Sequence, residues 1–510
     1  MTTSTNKPAN MADVAQGKRW KGVSFLKSFL FLAIAASTSM LFVAGPDTRF
    51  DDEKETSMTI GMDLMEVVPP SSRPSSTIER PLEEFVNTTR ASSSSTSNHL
   101  WPKEASNTET TATTSNKTRI AYAVSITRCQ WSVIDAAAVH GYSIDLQHQR
   151  DNQNRENPYT HRRYAFVHPS AFNCSDDLRR LGYTVQLKES PINVSAIQSP
   201  ILREDIEERG CCGSNEFLKL YAYTVPEPIC VHLDTDVLIL QPLTEIFDMM
   251  LGREPSAPVQ IEDDDDEQEQ QRVHNQTNSL HRNNITFAYT RDYAQGSRIT
   301  VNTSQWGVQG GFFVVKTDPT KLPEFQQIIQ QVNYTEEQGW GKLGFGGYWG
   351  AAQVQGFLSY IYGHVYPPDT SVELNRCVYD NMHDPVRFED GRKKGQCRTL
   401  KPTCLHDCQN IPFSQVKVAH LTLCSKPWRC RTYYQGFTLC SEFLQAWFKL
   451  RRRLESTEWG QDFEPPTPDM WFYDASMGYC QKLTKPIRYR KKGDIYNKRF
   501  GEYTRMKLPE

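Results

Sequence analysis

Two aspartates interrupt one of the most apolar stretches of the chain. The stretch is "ICVHLDTDVLILQPL", residues 229–243, and the two acids are Asp234 and Asp236. Such a run is typical of a buried parallel strand, where an ionised carboxylate is costly unless a partner compensates it. In extended chain, residues two apart project to one face, so both carboxylates are predicted to point to one spot. Two hard oxygen ligands suit a divalent cation such as Mn2+ or Mg2+.

The alternative for this motif is that the strand ends at Asp234 and the two carboxylates are solvated turn residues. Its surroundings favour the metal-site interpretation. The segments "RIAYAVSIT", "RRYAFVHP" and "YTVQLKE" have strand patterns, and "WSVIDAAAVHGYSIDLQ" and "SDDLRRLG" between them have helical character. This alternation predicts an α/β fold with a parallel sheet covered on both faces, and such folds bind ligands at the carboxyl ends of their strands. Ser214 is predicted to cap a helix that runs through "NEFLKLYAYTV" before the aspartate strand.

An uncharged run near the N-terminus predicts a membrane anchor. Residues 28–45, "SFLFLAIAASTSMLFVAG", follow four Lys or Arg and precede a group of acids. The run is near the lower limit for spanning a bilayer, and the charges place the N-terminus in the cytoplasm. A cleaved signal peptide is the alternative, but the 27 preceding residues are long for its basic region. Either interpretation exports the rest of the chain.

Differences in composition divide the rest of the 510-residue chain into segments. A stem rich in Ser and Thr, residues 46–118, buries too little apolar surface to become ordered. An acidic tract without aromatic residues, 252–284, is interpreted as a solvated insertion rather than a calcium-binding loop. From Lys485 to Glu510, nine Lys or Arg face three acids; behind an anchor this predicts a solvated tail or a contact with anionic lipid or glycan, and no nucleic-acid partner. The net charge of -3 indicates no partner. The predicted organisation is a cytoplasmic tail (1–27), an anchor (28–45), a disordered stem (46–118), a catalytic domain (119–438) with its acidic insertion (252–284), and a C-terminal helical extension with a basic tail (439–510).

Sequons and cysteines agree with an exported domain. Thirteen cysteines, all beyond residue 128, fit an oxidising compartment and predict disulfides with one cysteine left over. A zinc site around His406 is the alternative, but the cysteine spacings match no paired C-x-x-C pattern. Eight N-x-[ST] sequons predict glycosylation at several of their asparagines. They are Asn87, Asn116, Asn173, Asn193, Asn275, Asn284, Asn302 and Asn333.

Four motifs in one order resemble glycosyltransferase family 8, the glycogenin-like retaining enzymes with the GT-A fold. They are "EFLKLYAYTVPEPICVHLDTDVLILQPLTEIFD", "QGGFFVVKTDP", "YWGAAQVQGFLSYIYG" and "AHLTLCSKPW", and the resemblance covers roughly residues 119–428. It implies a Rossmann-like nucleotide-binding domain that takes a UDP-sugar as donor, with Mn2+ or Mg2+ as cofactor.

The resemblance also implies a role for each matching residue. Asp234 and Asp236 would bind the metal and the sugar nucleotide, with Asp236 also counted as catalytic, and His420 would be the third metal ligand. Lys219 would contact the donor and Lys426 the diphosphate. A leaving nucleotide diphosphate needs such a metal and cation to take up its developing charge.

Two further matches and two departures fall in the other motifs. Gly311 is assigned to donor binding and Gln355 to the neighbourhood of the anomeric carbon. Val354 replaces the acid of the family's D-Q-G segment, and Cys424 replaces a Gly in the diphosphate loop, which a disulfide could reshape. The loop "GKLGFGGYWG" lacks the Lys of a P-loop and is predicted to let backbone approach closely at the acceptor side. Its neighbouring aromatics Trp340, Tyr348 and Trp349 fit either sugar stacking or core packing.

The sequence therefore predicts a single-pass type II Golgi membrane glycosyltransferase with a luminal catalytic domain. It would transfer a hexose or hexuronic acid, with retention, from a UDP-sugar to a glycan or glycoprotein acceptor. Val354 and Cys424 leave a second class open, a catalytically silent membrane protein that binds nucleotide sugar or glycan. A third, a disulfide-rich structural surface protein, leaves the buried aspartates unexplained.

Overall fold

The computed structural model describes residues 117–154, 157–262, 284–293, 307–389, 393–430, 438–461, 476–482 and 501–509. The predicted anchor and all but the last two residues of the predicted stem lie outside these ranges. Within them, no helix combines the length and the hydropathy that crossing a bilayer requires.

Strands and helices alternate through the first half of the described chain and become irregular later. The strands are β1 (Thr118–Ile126), β2 (Tyr159–Val167), β3 (Thr184–Leu187), β4 (Ile229–Leu233), β5 (Val237–Ile239), β6 (Phe287–Arg291), β7 (Val308–Lys316), β8 (Tyr334–Thr335), β9 (Gly339–Trp340), β10 (Ser371–Glu373), β11 (Val418–His420), β12 (Cys480–Lys482) and β13 (Gly501–Tyr503). The α-helices are α1 (Trp131–Asn154), α2 (Ser175–Arg180), α3 (Pro200–Glu208), α4 (Thr244–Met250), α5 (Lys321–Gln331), α6 (Val354–Tyr360), α7 (Arg376–Tyr379) and α8 (Leu439–Arg453).

Seven strands form the central sheet, in the order β10-β6-β7-β4-β1-β2-β3. The predicted α/β architecture is present, but the prediction of a wholly parallel sheet is wrong. β7 runs antiparallel to both of its neighbours, β4 and β6, while the other pairs are parallel. A strand buried on both faces is uniformly apolar in either direction, so its sequence does not reveal which way it runs.

Both faces of the sheet are covered, as the apolar strands require. Along β1, Ala121 and Ala123 join the core beneath the helix that precedes β4, whereas Val124 and Ile126 join the core beneath α1 and α8. The start of the antiparallel β7 meets the carboxyl ends of β4 and β6 at one edge of the sheet. That edge gathers the side chains of the candidate site.

Three local predictions are corrected. The helix before β4 is a 3-10 helix, Gly213–Thr224, that begins after Cys212, and Ser214 does not cap it. Within the predicted acidic insertion, Glu262 is packed rather than solvated, since its side chain is only 4% exposed and pairs with Arg376 Nη1 at 2.7 Å. The end of the predicted solvated tail is packed too, because β13 pairs with β12 and buries Tyr503.

Five disulfides bond ten of the thirteen cysteines, so the disulfide interpretation is confirmed. Cys404 and Cys408, which flank His406, each have a disulfide partner, and this contradicts the zinc alternative. The bonds are Cys129–Cys174, Cys377–Cys408, Cys397–Cys404, Cys424–Cys440 and Cys430–Cys480. Cys211, Cys212 and Cys230 are outside these bonds.

Candidate functional site

The apolar run around the two aspartates is two strands joined by a turn. β4 ends at Leu233, Asp234 and Asp236 belong to the turn, and the Val237 amide donates to the Asp234 carbonyl at 3.1 Å. The prediction of one continuous strand is therefore wrong. The solvated-turn alternative is also wrong for Asp236, whose side chain is buried.

The strand after this turn brings His420 to the aspartates. β5 pairs antiparallel with β11, and the register places His420 opposite Val237, next to Asp236. Helix α1 covers the other edge of β5, because His140 Nδ1 lies 2.8 Å from the Val237 carbonyl and the Ile239 amide donates to Ser143 Oγ at 3.2 Å. Strand β5 is thus held by β11 along one edge and by α1 along the other.

Asp234, Asp236 and His420 fit a divalent cation. One ligand atom from each lies within 4.8 Å of the other two. Two carboxylate oxygens and an imidazole nitrogen are a donor set that Mn2+ accepts. Burial opposes ionisation of Asp236, but Lys426 and His420 hold the pKa of its carboxyl below the usual range, so it is a carboxylate at neutral pH.

A buried carboxylate orients the histidine. Asp380 Oδ1 lies 3.1 Å from His420 Nδ1, and Thr290 Oγ1 donates to Asp380 Oδ2 at 2.9 Å. His420 Nε2 then faces Asp236 Oδ1 at 3.7 Å. Burial lowers the pKa of His420, but Asp380 and Asp236 outweigh it and raise the pKa to about 9. A carboxylate that fixes the far nitrogen is the usual support of a metal-binding histidine.

Gly311 makes room for this imidazole. A Cβ at position 311 would lie 2.3 Å from His420 Cε1. The Gly311 carbonyl accepts a hydrogen bond from the Asp234 amide at 2.9 Å, and the Gln309 side chain accepts one from the Gly311 amide at 2.7 Å. The residue predicted to bind the donor therefore supports both halves of the metal site.

Two lysines flank the aspartates from opposite sides. Lys219 is buried and holds Asp234 Oδ1 at 3.0 Å and Glu216 Oε1 at 2.5 Å. Although burial lowers it, these carboxylates raise the pKa of Lys219 well above its usual value. Lys426 Nζ donates to Asp236 Oδ2 at 2.7 Å and keeps 31% of its side chain exposed, which leaves it accessible to an anion.

The described chain also places Gln355 at this edge of the sheet, beside an acid that sequence reasoning missed. Gln355 Nε2 donates to Asp292 Oδ2 at 3.3 Å, and Gln309 Nε2 reaches the same oxygen at 3.4 Å. Asp292 is buried directly after β6, and its Oδ1 has no hydrogen-bond partner among the described residues. Burial raises the pKa of Asp292 to about 6, although the hydrogen bond from Gln355 lowers it.

Comparisons with known proteins find similarity in solved structures. No model of a known protein family matches the chain, and no curated protein matches it. The galactosyltransferase LgtC in complex with donor and acceptor sugar analogs aligns at 14% identity and a TM-score of 0.30, over 68% of this chain and 97% of that one. Mouse xyloside xylosyltransferase 1 aligns at 11% and 0.32, over 59% and 97%. The glycosyltransferase GlyE of Streptococcus pneumoniae TIGR4 aligns at 12% and 0.32, over 67% and 64%.

The two departures from the family pattern have clear structural settings. Val354 is fully buried in the apolar core beneath the 3-10 helix. This position therefore supplies no carboxylate to the site. Cys424 is bonded to Cys440 at the start of α8, and this disulfide ties the loop that carries Lys426 to the helix. The expectation of a disulfide at Cys424 is confirmed.

Some glycine and aromatic residues in β9 and the loop after it support the fold, and others are exposed. Gly350 has a φ of +77° and a Cβ there would lie 2.5 Å from Gln355 Oε1, so the backbone approaches Gln355 closely. Trp340 is fully buried and donates from Nε1 to the Ala351 carbonyl at 2.6 Å, which makes it a core residue. Trp349 is 41% exposed.

Asp292 carried a weak signal in the sequence, whereas Asp380 carried none. Asp292 comes one residue after the apolar segment "ITFAYT", and Asp234 directly follows "ICVHL". Both acids therefore come at the carboxyl end of an apolar strand, and both indicate the same edge of the sheet. Asp380, by contrast, sits in an irregular segment after α7, and only the tertiary contact with His420 distinguishes it.

Proposed function

We propose that the chain is a metal-dependent glycosyltransferase that uses a UDP-sugar and retains the configuration of the transferred hexose or hexuronic acid. The observation that carries this proposal is the meeting of two carboxylates, one oriented imidazole and two lysines at one edge of the sheet. The family resemblance in the four sequence motifs agrees with it. The acceptor would be a glycan or glycoprotein.

Asp234, Asp236 and His420 would hold Mn2+ or Mg2+ against the diphosphate of the donor. When bound, the cation acts as a Lewis acid on that diphosphate. Lys426, now held by Asp236, would turn to a phosphate oxygen and stabilise the charge of the departing nucleotide. Lys219 would keep Asp234 in place, because its ammonium bridges Asp234 and Glu216.

Gln355 and Asp292 would act on the sugar side of the site. Asp292 lies one hydrogen bond from Gln355, so it supplies a carboxylate near the position where Val354 lacks one. Its Oδ1, which lacks a hydrogen-bond partner among the described residues, would accept a hydrogen bond from a hydroxyl of the donor or acceptor. The departure at Val354 therefore does not by itself favour the silent binder.

The proposed compartment is the Golgi lumen, with the chain as a type II membrane protein. Four of the eight sequons lie in described residues, and Asn173, Asn193, Asn284 and Asn333 are all exposed. Exposed sequons and five disulfides are what an exported domain needs.

A panel of UDP-sugars tests the proposal. Full-length protein purified in detergent is incubated with each UDP-sugar and Mn2+, and released UDP is measured with and without EDTA. An enzyme releases UDP from at least one donor in a metal-dependent way. Thermal stabilisation by a UDP-sugar without release identifies the silent binder, and neither effect identifies a structural protein.

Asp236→Asn is the central variant. It removes a ligand charge without changing size, so we expect transfer to fall by at least about a hundredfold while the melting temperature stays near that of the parent. The matched control is Asp176→Asn, whose side chain is 89% exposed. Parental activity in Asp236→Asn would contradict the metal-site assignment.

A further inference from the structure

Adjacent cysteines lie at the beginning of the helix that supports the aspartates. The Sγ atoms of Cys211 and Cys212 are 2.6 Å apart, whereas a disulfide measures about 2.05 Å. Two sulfurs that are not bonded do not normally approach so closely. Cys211 is exposed and Cys212 is partly exposed, so both can be reached by a reagent.

The cysteine inventory of the chain points to the same pair. Ten of the thirteen cysteines form five disulfides, and the third unbonded cysteine, Cys230, is fully buried within β4. Cys230 faces the apolar core rather than another thiol. In an oxidising compartment, two neighbouring accessible thiols beside five formed disulfides are expected to oxidise.

The turn that holds the two thiols is fixed by its neighbours. The side-chain Nε2 of Gln353 donates to the carbonyls of Ile206 and Gly213, at 2.9 and 3.0 Å. Gly213 has a φ of +59°, a conformation that glycine adopts at little cost. These contacts fix the backbone on both sides of the two cysteines.

We propose that Cys211 and Cys212 form a sixth disulfide, a vicinal disulfide between adjacent residues, and that Cys230 is the unpaired cysteine. The oxidant is a disulfide reagent of the glutathione type. The Cys212 thiolate attacks one sulfur of the reagent and releases one thiol, and the Cys211 thiol then displaces the second. Two protein thiols become one disulfide, and the reagent disulfide becomes two thiols.

The local chemistry gives the order of these steps. The hydrogen bond between the two thiols raises the pKa of Cys211 and lowers the pKa of Cys212, and burial and the Glu216 carboxylate raise the pKa of Cys211 further. Cys212 is thus the better thiolate and attacks first. Once the bond forms, Cys211 no longer has the S–H that lies 3.3 Å from Glu216 Oε2.

The disulfide closes a small ring directly before Glu216 and Lys219. Glu216 holds Lys219, and Lys219 holds Asp234, so the ring fixes the backbone from which this chain of ion pairs starts. This consequence rests on the proposed function. Loss of the ring is expected to weaken donor binding, because the segment must then be ordered by the donor itself.

Peptide mapping tests the disulfide without any assay of activity. Full-length protein is purified without reductant, alkylated with iodoacetamide in denaturant and digested with trypsin without reduction. Cleavage after Arg209 and Lys219 releases residues 210–219, which contain both cysteines and no other. We expect this peptide unalkylated and two hydrogens lighter than the dithiol, whereas the peptide with Cys230 is alkylated. A peptide 210–219 that carries two carbamidomethyl groups, or is linked to another peptide, overturns the proposal.

A double variant tests the link to the site. Cys211→Ser/Cys212→Ser keeps a hydroxyl near Glu216 but cannot form the ring, and we expect its donor KM to rise about threefold at unchanged kcat. An unchanged donor KM overturns this link, while the peptide map still decides the disulfide. If the parent protein transfers no sugar, the proposed function fails and the map remains valid.

Discussion

Gly311 sets how close His420 can come to the aspartates. A methyl group at this position would overlap the imidazole, whereas a Cβ at the neighbouring Gly310 would lie 3.2 Å from Gln355 Cγ and 3.3 Å from Lys219 Nζ. The first contact cannot be relieved without moving a proposed ligand. The second needs only a small shift of two long side chains.

Gly311→Ala is therefore expected to weaken metal binding more than Gly310→Ala. Displacement of His420 should raise the Mn2+ concentration for half-maximal UDP release at least about tenfold. Gly310→Ala, on the same strand, is the matched control and should shift it much less. Equal metal dependence in both variants would show that His420 does not bind the ion.

Asp292 gives a second prediction at this scale. Asp292→Asn keeps the shape but removes the carboxylate that holds Gln355, so kcat is expected to fall by roughly tenfold to a hundredfold. The metal dependence should change much less, because the hydrogen bonds of Asp292 run to Gln355 and Gln309. Asp369→Asn, at an exposed position, is the control. A variant with parental kcat would exclude Asp292 from the reaction.

At the scale of elements, α1 and β5 depend on one buried histidine. His140 is fully buried, and burial lowers its pKa from 6.5 to about 4. The folded state therefore keeps His140 neutral, while the unfolded chain protonates it below pH 6.5. Its contribution to stability is complete above that pH and is lost as the pH falls from 6.5 towards 4.

We expect His140→Gln to reduce the acid sensitivity of folding. Between pH 8 and pH 5, His140 should account for about 2 kcal/mol of the loss in unfolding free energy. Urea unfolding at the two pH values measures this difference. The control is Ser143→Ala, which removes the other hydrogen bond between α1 and β5 but no titrating group. An unchanged pH dependence in His140→Gln would contradict the assignment.

Sequence periodicity predicted the early strands and helices well, and it predicted less of the site. β1, β2, β3, α1 and α2 have the patterns expected of them, and the aspartates lie at the predicted edge of the sheet, although in a turn rather than in extended chain. The direction of β7 and the pairing of β5 with β11 were not predictable, because apolar strands carry no mark of their partner. Asp380 was missed for the same reason, since its contact with His420 is purely tertiary.

At the scale of the whole molecule, the C-terminal segments are fastened to the rest of the described fold. Arg451 of α8 lies over the rings of Tyr479 and Tyr503, at 3.9 and 4.9 Å from their centroids. The disulfide Cys430–Cys480 joins these segments to the loop after Lys426, across 50 residues of sequence. The predicted basic extension is thus partly a structural layer on the same core.

Removing this disulfide should cost stability without touching the proposed ligands. For a closed loop of this length, the double variant Cys430→Ala/Cys480→Ala is expected to lose about 4 kcal/mol of unfolding free energy. Urea unfolding of full-length protein measures it. The control Cys397→Ala/Cys404→Ala opens a loop of only 7 residues and should lose less. The reverse order of losses would contradict the prediction.

The short ladder of β5 and β11 has a consequence for the order of folding. It brings Lys426 to Asp236, its partner 190 positions earlier in the chain. During synthesis the N-terminal strands emerge first. The aspartates are therefore without His420 and Lys426 until the last third of the chain is made. A chain that stops before β11 has half of the site and leaves one edge of β5 unpaired, which is a ready surface for aggregation.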